Sequence, residues 1–471
     1  MHNVALVALT LAACSTPHEK DIDTAMTVDQ TSNTRDNTSN QSTHDTGTSA
    51  TDNAVTYYEE AAHVFAERCV GCHQEGGIGS FAIDDYDLAA AFAPIIKLSV
   101  ENRSMPPWLV TDDDSCQTFN HSRALSDEEI QTIVAWADGG AKKGDPASGP
   151  DWERDLPSLE RVDATYHTPV FTPEIQGGTL AEFDEYRCFV MENPNDERVF
   201  LRGYDVTAGT PEIVHHVVSY KVDLQRASWS SGRTNAEEIE LLRGEGGRDG
   251  WPCFSGPGGS LRDSGAPIVW APGQGAAVYP EGVGISWGPN EVLISQVHYN
   301  LSDPTTIGLS DTTRIDLMTE TKVDRIGKFA LLDPYLETLF SAPAILLPGQ
   351  EDVSYTWTVS GGSAMGNAGI GGDQENVQVA AIIPHMHERG ARQDALLRTS
   401  EGDVCLAEVN DWDFNWQLMY EYTSPIPLDR RDEIEVTCHW NTSMDKEPIV
   451  PGWGTNNEMC LFVMLLTYPS D

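Results

Sequence analysis

Two groups of potential metal ligands lie in the second half of the chain. The first, called the three-histidine site, comprises His215, His216 and His298. The second, called the His–Met site, comprises His385, His387 and Met459. Imidazole is a good ligand for copper, and a thioether favours the soft Cu(I) state. The two sets therefore predict two unlike, redox-active copper ions.

The spacing of the histidines decides how easily each set can share an ion. His385 and His387 follow an apolar run at 377–383. Because residues i and i+2 of a strand lie on one face, both imidazoles can reach one metal. The adjacent His215 and His216 would point to opposite faces of a flat strand, so they can share a metal only if the backbone twists. Five of the six histidines after residue 170 fall in these two sets.

A third motif, Cys69-Val70-Gly71-Cys72-His73, precedes both sets. Such a C-x-x-C-H sequence supplies two thiols, Cys69 and Cys72, for thioether bonds to haem, and His73 as the proximal iron ligand. A zinc or redox C-x-x-C is the alternative, but the histidine directly after the second cysteine favours haem. Met105, in the Pro-stiffened Ser104-Met105-Pro106-Pro107-Trp108, is the only methionine between His73 and Pro150 and is the predicted distal ligand.

Composition sets the broad class of the protein. A chain of 471 residues is long enough for about three domains of roughly 150 residues each. Its 29 basic and 73 acidic residues give a net charge of −44. Such a chain repels nucleic acid and anionic lipid surfaces, so both are excluded as partners.

The N-terminus predicts export. Residues 4–13 form an apolar stretch too short to span a bilayer, as in a signal peptide. The stretch ends in Leu11-Ala12-Ala13-Cys14, which resembles a bacterial lipobox and implies cleavage before Cys14 and lipidation of that cysteine. We expect a signal peptide at 1–14 and a disordered tether at 15–55, which is rich in Ser, Thr, Asn and Asp. The protein would be anchored by lipid to a bacterial membrane, the outer membrane being expected, facing the periplasm or the exterior.

Residues 56–146 are predicted to form a small helical domain. Apolar residues at helical spacing run into Cys69, a second helix is predicted over 86–100, and a third begins at the capping box of Ser126 and Glu129. This segment resembles a class I cytochrome c domain over its whole length. A Pro- and Asp-rich connector follows at 147–169.

The composition pattern of the sequence changes beyond residue 170, where short runs rich in Val, Ile, Tyr and Phe alternate with Gly, Pro, Asn and Asp. Predicted strands of this kind are 212–222, 292–300, 377–383 and 433–439. The pattern is typical of all-β sandwiches, and about 300 residues is large for one of them. We therefore predict a multidomain chain: a small all-α cytochrome c domain followed by two all-β jelly-roll-like sandwich domains, at 170–325 and 326–471.

Cysteine usage supports an oxidising compartment. Of nine cysteines, one is assigned to lipid and two to haem. Six remain: Cys116, Cys188, Cys253, Cys405, Cys438 and Cys460. An even remainder in an exported chain suggests disulfides, but six cysteines allow 15 connectivities, so the residues alone leave the pairing open.

Residues 170–471 resemble the copper type II monooxygenases, the group of peptidylglycine α-hydroxylating and dopamine β-monooxygenases. The motifs that carry the resemblance are Val214-His215-His216-Val217, Trp270-Ala271-Pro272-Gly273 with Pro280-Glu281-Gly282-Val283-Gly284, Gln296-Val297-His298-Tyr299, His385-x-His387 with Gly390, and Glu458-Met459-Cys460. The resemblance implies two jelly-roll-like domains that each hold one copper across a solvent-filled cleft. The three-histidine copper would store an electron, and the catalytic copper at the His–Met site would bind O2 and cleave the substrate C–H bond.

The resemblance also predicts cofactors and partners. We expect two copper ions and haem c, O2 as co-substrate, an external periplasmic electron donor, and a disulfide between Cys438 and Cys460 that fixes the methionine loop. The activity would be that of an oxidoreductase inserting one oxygen atom into a C–H bond. The alternative is a non-catalytic periplasmic lipoprotein that transfers electrons or handles copper.

The substrate is expected to differ from that of the peptide-amidating members. Those members hold a substrate carboxylate with an Arg, an Asn and a Tyr, whereas this chain has Ile383, Leu461 and Val463 at the three places. A small molecule or peptide without a C-terminal glycine carboxylate is therefore favoured.

The order of electron transfer is a further expectation. A flexible connector of about 20 residues keeps its ends within roughly 25 Å, which raises the local concentration of donor and acceptor. On this ground the haem is predicted to reduce the three-histidine copper first.

Replacing the proposed distal haem ligand should change the spectrum of the haem. Met105→Ala is expected to abolish the Met–iron charge-transfer absorption and to lower the reduction potential, because the thioether stabilises ferrous iron. Visible spectroscopy and redox titration would measure both. An unchanged spectrum would point to His121, the only histidine between His73 and Pro150, or to another ligand.

Overall fold

A computed structural model describes most of residues 54–470. The stretches outside the description are 1–53, 75–78, 153–157, 176–182, 244–246, 254–255, 272–273, 336–337, 339–343, 415, 453–455 and 471. The predicted signal peptide, Cys14, residues 15–53 of the predicted tether, and Pro272 and Gly273 thus lie outside the described residues. Within the described ranges, no helix combines the length and the apolar character needed to cross a bilayer.

Helices occupy the N-terminal part of the described chain. They are a π-helical turn at Tyr57–Ala61, α1 at Ala62–Arg68, α2 at Tyr86–Glu101, α3 at Asp127–Asp138, and a 3-10 turn at Pro146–Ser148. The predicted capping box is confirmed, because the Ser126 hydroxyl accepts from the Glu129 N–H and the Glu129 carboxylate accepts from the Ser126 N–H. The helices bury a shared apolar core that includes Phe65, Ile96 and Trp136.

The chain between α2 and α3 leaves this helical core. Val110 and Phe119 are buried instead in a β-sheet core near the C-terminal end of the chain, which is called the second β unit. Val110 forms a bridge with Val409 of that unit, and Phe119 forms one with Tyr422. The sequence analysis assigned all of 56–146 to one helical domain. Residues 108–120 differ because their apolar side chains find their partners on the β-sheets rather than on the helices.

The remainder of the described chain is mostly β-structure, as predicted. The strands are β1 Ala164–His167, β2 Asp184–Met191, β3 Val199–Thr207, β4 Val214–Asp223, β5 Trp251–Pro252, β6 Ile268–Trp270, β7 Ala277–Val278, β8 Val283–Trp287, β9 Glu291–Asn300, β10 Arg314–Glu320, β11 Arg325–Leu332, β12 Val353–Ser360, β13 Gln378–His385, β14 Gly390–Thr399, β15 Gly402–Val409, β16 Tyr420–Pro427, β17 Glu433–Trp440 and β18 Leu461–Pro469. Short helices lie between them: α4 Asn235–Leu242, α5 Gly361–Asn367 and a 3-10 turn Pro304–Thr306. The four runs predicted as strands correspond to β4, β9, β13 and β17. β1 lies inside the predicted connector because it pairs with β10.

Three sheets form two β-sandwich units. A nine-stranded sheet has the order β1-β10-β3-β8-β11-β18-β13-β16, with β7 beside β3. Its first half packs on the five-stranded sheet β5-β2-β9-β4-β6, and its second half packs on the four-stranded sheet β12-β17-β14-β15. The two halves meet where β8 and β11 pair in parallel. The exact domain boundaries and the jelly-roll connectivity remain predictions.

Three disulfides fix the β units. They are Cys188–Cys253, Cys438–Cys460 and Cys116–Cys405. Cys438–Cys460 is the pair proposed in the sequence analysis. Cys116–Cys405 spans 289 residues and ties the segment after α2 to β15. Neither Cys69 nor Cys72 takes part in these bonds.

Close packing at the seam of the two units gives a stability test. A Cβ added at Gly284 would lie 2.8 Å from a methyl of Val323 and 2.9 Å from Cβ of Phe200, which cannot move without its backbone. Gly284→Ala should therefore destabilise the protein by about 1–3 kcal/mol through overpacking. Denaturant unfolding would measure the loss. Gly372→Ala, where a Cβ meets nothing within 4 Å, is the control and should leave stability nearly unchanged.

Candidate metal centres

The three-histidine site depends on an irregularity in β4. Strands β4 and β9 are antiparallel neighbours, and His216 lies directly opposite His298. The register of β4 shifts between Val214 and His216, which marks a β-bulge. A bulge inserts one unpaired residue and twists the strand. His215 can therefore turn to the side of His216, which meets the condition that adjacent histidines set for sharing a metal.

The ring nitrogens of this site converge on one point. The ligand atoms of the three-histidine site all lie within 4.8 Å of one another. Nδ1 of His216 lies 3.1 Å from Nδ1 of His215 and 3.2 Å from Nδ1 of His298. Two nitrogens bound at about 2.05 Å to one ion and about 100° apart are about 3.1 Å from each other. The spacing thus fits a tight imidazole-bound ion such as copper.

The outer side of His298 is held in place by β2. Its Nε2 lies 3.1 Å from Oδ1 of Asp184. The ring of Tyr186 stacks on the imidazole, with centroids 4.0 Å apart and planes 7° from parallel. A carboxylate at the outer nitrogen of a histidine fixes ring orientation and raises its strength as a ligand.

The electrostatics of the site favour neutral imidazoles at His215 and His216. Burial lowers the pKa of His216 well below its usual range, and the neighbouring His298 and His215 add to the effect. Burial and His298 also lower the pKa of His215. Burial acts to raise the pKa of Asp184, but the adjacent His298 outweighs it and the net pKa is lowered. An ionised carboxylate beside neutral imidazoles is the protonation state that a metal cation requires.

The His–Met site presents the opposite ring nitrogens. Nδ1 of His385 donates to the side-chain oxygen of Gln417, and Nδ1 of His387 donates to the backbone oxygen of Asn457 at 3.1 Å. Because each Nδ1 carries the proton, each Nε2 is the unprotonated nitrogen, which is the one that can bind a metal. The two ring centroids are 5.3 Å apart. Burial and the neighbouring His387 lower the pKa of His385 to about 4.

The segment that carries Met459 is anchored to the loop of the two histidines. The Glu458 carboxylate accepts from the backbone N–H of His387 at 3.1 Å and of Arg389 at 2.8 Å. It also accepts from the indole of Trp440 at 2.8 Å. The next two residues are buried, and Cys460 is bonded to β17. These contacts hold the segment of the buried Met459 against the histidine loop.

An apolar strip adjoins His385 on the same face of the sheet. In the registers of β11, β18 and β13, Leu331 lies opposite Val463, Val463 opposite Ile383, and Leu461 opposite His385. Residues directly opposite each other share a face. Leu331 is 46% exposed, and Ile383 and Val463 are half-buried. The three positions that departed from the peptide-amidating pattern therefore form one apolar surface beside the site.

The histidine of the C-x-x-C-H motif is held by a backbone contact. Nδ1 of His73 donates to the backbone oxygen of Phe81 at 3.2 Å, so its Nε2 is free for iron. Gly79 allows the loop to close on the imidazole, because a Cβ there would lie 2.5 Å from Nδ1. Met105 is half-buried, and its N–H donates to the Ser99 oxygen at 3.2 Å.

The sixth histidine of the β units plays a different part. His439 on β17 donates from Nδ1 to Asp352 at 2.8 Å, and its Nε2 accepts from Arg392 at 2.8 Å. Both ring nitrogens are therefore engaged in polar contacts. Sequence reasoning also missed Asp184, Tyr186 and Gln417, because carboxylates and amides outside a motif give no signal of the histidine they orient.

Comparison with known proteins identifies the class of the second β unit. Residues 354–470 match the family model of the copper type II ascorbate-dependent monooxygenase, C-terminal domain. The match covers about a quarter of the chain and includes the whole His–Met site. It supports this oxidoreductase family, and with it copper as the metal. No curated protein matches the chain.

Solved structures add little. The chain is similar to the major capsid protein P2 of bacteriophage PM2 at 7% identity and a TM-score of 0.24, over 65% of this chain and 98% of that one. It is similar to infectious bursal disease virus, Gx strain, at 6% identity and a TM-score of 0.17, over 67% and 76%. Likenesses of this size support no inference about fold or function.

Removing the charge behind His298 should weaken metal binding at the three-histidine site. Asp184→Asn is expected to reduce copper affinity by about 10–100-fold, the usual effect of losing a carboxylate at the outer ring nitrogen. Chelator competition in a His385→Ala background would isolate this site. Asp196→Asn is the control, because Asp196 is exposed and lies in the loop that follows β2. Equal affinity in both variants would contradict the role of Asp184.

Glu458 should give the copper-free protein a distinctive pH dependence. Burial raises its pKa to about 7, against the hydrogen bonds that it accepts. Between about 4.3 and 7 the folded state then keeps a proton that the unfolded state has released, so the contribution of Glu458 to stability falls as pH rises. Glu458→Gln removes this term. The variant should gain stability relative to the wild type across that window, by up to about 1.4 kcal/mol per pH unit.

Urea unfolding at a series of pH values would measure this difference. Glu447→Gln is the matched control, because Glu447 is exposed. A stability difference for Glu458→Gln that stays constant from pH 4.5 to 7 would mean that the carboxylate is ionised throughout.

Proposed function

We propose that this protein is a copper-dependent monooxygenase that hydroxylates an apolar C–H bond at the His–Met site, with electrons supplied by a covalently attached haem c. The observation that carries the proposal is the contrast between the two histidine groups. One gathers the Nδ1 atoms of three histidines, of which His215 is exposed and His298 buried. The other leaves Nε2 as the metal-binding nitrogen of two histidines whose loop is hydrogen-bonded to the segment of a buried methionine. A thioether ligand would suit a copper that cycles through Cu(I).

The residues of the His–Met site have separable tasks in this proposal. His385 and His387 would bind the metal through Nε2, while Gln417 and the Asn457 carbonyl keep the proton on Nδ1. Met459 would be the soft ligand. Copper bound there supplies the chemistry of O2 reduction and C–H cleavage. The overall balance takes two electrons, two protons, O2 and the substrate to the alcohol and water.

The substrate is proposed to be apolar near the reacting carbon. The strip of Leu331, Val463 and Ile383 offers no charge to a carboxylate, and it ends beside His385. Burying an apolar group on such a surface gains about 25 cal/mol per Å². A C-terminal glycine carboxylate would gain nothing there. An aryl-alkyl or alkyl group of a small molecule or peptide fits better.

The haem, the three-histidine copper and the location complete the proposal. Cys69 and Cys72 would hold the haem covalently, with His73 and Met105 as its iron ligands. The three-histidine site would hold the second copper as an electron store. Export, lipidation at Cys14 and an external periplasmic donor are proposed from the sequence alone.

Oxygen consumption tests the enzymatic function against a purely redox role. Copper-loaded, chemically reduced protein should consume O2 faster when aryl-alkyl compounds are added, and hydroxylated product should appear in equal amount to the O2 consumed. O2 uptake that no compound accelerates, without hydroxylated product, would favour a non-catalytic electron-transfer or copper-handling protein.

Changing the soft ligand should separate metal binding from turnover. Met459→His is expected to keep copper bound, because imidazole is an equally competent ligand, but to lower the hydroxylation rate by at least about tenfold through weaker support of Cu(I). Metal analysis and product formation would be measured together. Met365→Leu is the control, because Met365 is also a buried methionine but is remote in sequence from the ligands. Wild-type turnover by Met459→His would refute the assignment of Met459.

A further inference from the structure

The segment between the proposed distal haem ligand and α3 is built into the β unit that carries the His–Met site. The Leu109 N–H donates to the Tyr420 hydroxyl at 3.2 Å, and the Thr111 N–H donates to the Glu408 oxygen at 2.8 Å. Further along, the Asn120 N–H donates to the Glu421 oxygen at 2.8 Å. The Cys116–Cys405 disulfide lies between these contacts.

The two ends of the same segment belong to the helical part. Before it, the Met105 N–H is bonded to Ser99 in α2. After it, Arg68 and Arg103 donate to the backbone oxygens of Ser122 and Leu125. The chain therefore crosses from the helices to the second β unit and back. The Cys116–Cys405 disulfide and several hydrogen bonds hold residues 109–120 on the second β unit.

An aromatic contact also crosses this junction, at the end of the segment that lies nearest Met105 in sequence. Trp108 comes three residues after Met105 and meets Tyr420 edge to face, with ring centroids 4.9 Å apart. The indole N–H of Trp108 is buried and has no acceptor among the described residues. A buried donor of this kind calls for a partner that the described chain does not supply, such as a polar group of a cofactor or a water.

Tyr420 continues directly to the His–Met site. It lies opposite Ile382 on β13, the strand that ends at His385. Three residues before Tyr420, the Gln417 side chain accepts from Nδ1 of His385. The route from Met105 to His385 thus consists of two short backbone steps, one aromatic contact and one hydrogen bond. No comparable contact among the described residues joins 104–120 to the three-histidine site.

We infer that Trp108 and Tyr420 form the entry route by which an electron passes from the haem to the copper of the His–Met site. This inference rests on the proposed function and reverses the order expected from the connector at 147–169. In each transfer, ferrous iron becomes ferric and Cu(II) becomes Cu(I), with no bond made or broken. Electron transfer slows steeply with the gap between donor and acceptor, so a fixed aromatic junction gives this copper the first electron.

Rapid mixing with two metal-site variants tests the order. Protein with ferrous haem and oxidised coppers should show a fast, concentration-independent haem reoxidation that persists in His216→Ala and disappears in His385→Ala. Freeze-quenched electron paramagnetic resonance should show the Cu(II) signal of the His–Met site vanishing first. Loss of the fast phase in His216→Ala alone, or no loss in either variant, would overturn the inference.

Substitutions at the junction test the route itself. Trp108→Leu should slow the fast phase by at least tenfold, and Trp108→Phe should restore part of the rate because an aromatic ring remains. Phe119→Leu is the matched control, since Phe119 is buried in the same aromatic cluster but is not near Met105 in sequence. Equal slowing in Phe119→Leu and Trp108→Leu would show that only docking had been loosened and would refute the route.

Two further measurements separate this inference from the proposed function. The thermal midpoint and the haem spectrum of each variant show whether it is folded and loaded before mixing. A wild-type protein that binds no haem or no copper would remove both proposals together. A fully loaded, hydroxylating protein that reduces the three-histidine copper first would remove only the electron route.

Discussion

The chemistry of both histidine groups depends on one constraint, which is the partner of the ring nitrogen that faces away from the metal. A histidine bound at one nitrogen must carry its proton on the other, and a fixed acceptor there sets both tautomer and angle. Asp184 faces the outer nitrogen of His298, and Gln417 and Asn457 accept from His385 and His387. These acceptors come from other strands and loops, so the folded sheets decide which nitrogens converge.

The surrounding structure makes those acceptors rigid. The amide of Gln417 donates a hydrogen bond to the Phe414 oxygen at 2.8 Å. Asn457 directly precedes Glu458, whose carboxylate accepts three hydrogen bonds. Cys460 is bonded to Cys438, and its oxygen accepts from the Trp357 indole at 3.0 Å. A ligand loop without regular secondary structure thus gains the stiffness of the sheets on either side of it.

The histidine ligands, the main strands and the start of α3 could be predicted from the sequence, because each depends on a pattern of neighbouring residues. The i, i+2 spacing of His385 and His387 indicates a shared face, and the short apolar runs at β13 and β17, bounded by Gly, Pro, Asn and Asp, indicate a sandwich. The capping box of Ser126 places the start of α3 to the residue. Such signals need only a few neighbouring residues.

The features that could not be predicted from the sequence depend on contacts between residues that are distant along the chain. Nothing local distinguishes Trp108, Val110 and Phe119 from residues of a helical domain, yet they belong to a β core some 300 residues further on. The bulge at His215 is likewise set by pairing with β9 rather than by the sequence of β4. Local reasoning therefore found the ligands and missed what orients them and what docks against them.

The Cys116–Cys405 bond also bears on how the protein is made. A chain that enters an oxidising compartment from its N-terminus exposes Cys69, Cys72 and Cys116 long before Cys405 arrives. Oxidation in order of appearance would pair these early cysteines with one another and so prevent both the Cys116–Cys405 bond and the proposed haem attachment. Correct maturation then requires either thiols kept reduced until synthesis is complete, or a slow rearrangement of seconds to hours assisted by an isomerase. Under the proposed export, the yield of correctly bonded protein would thus depend on the redox state of the compartment as well as on the stability of the finished fold.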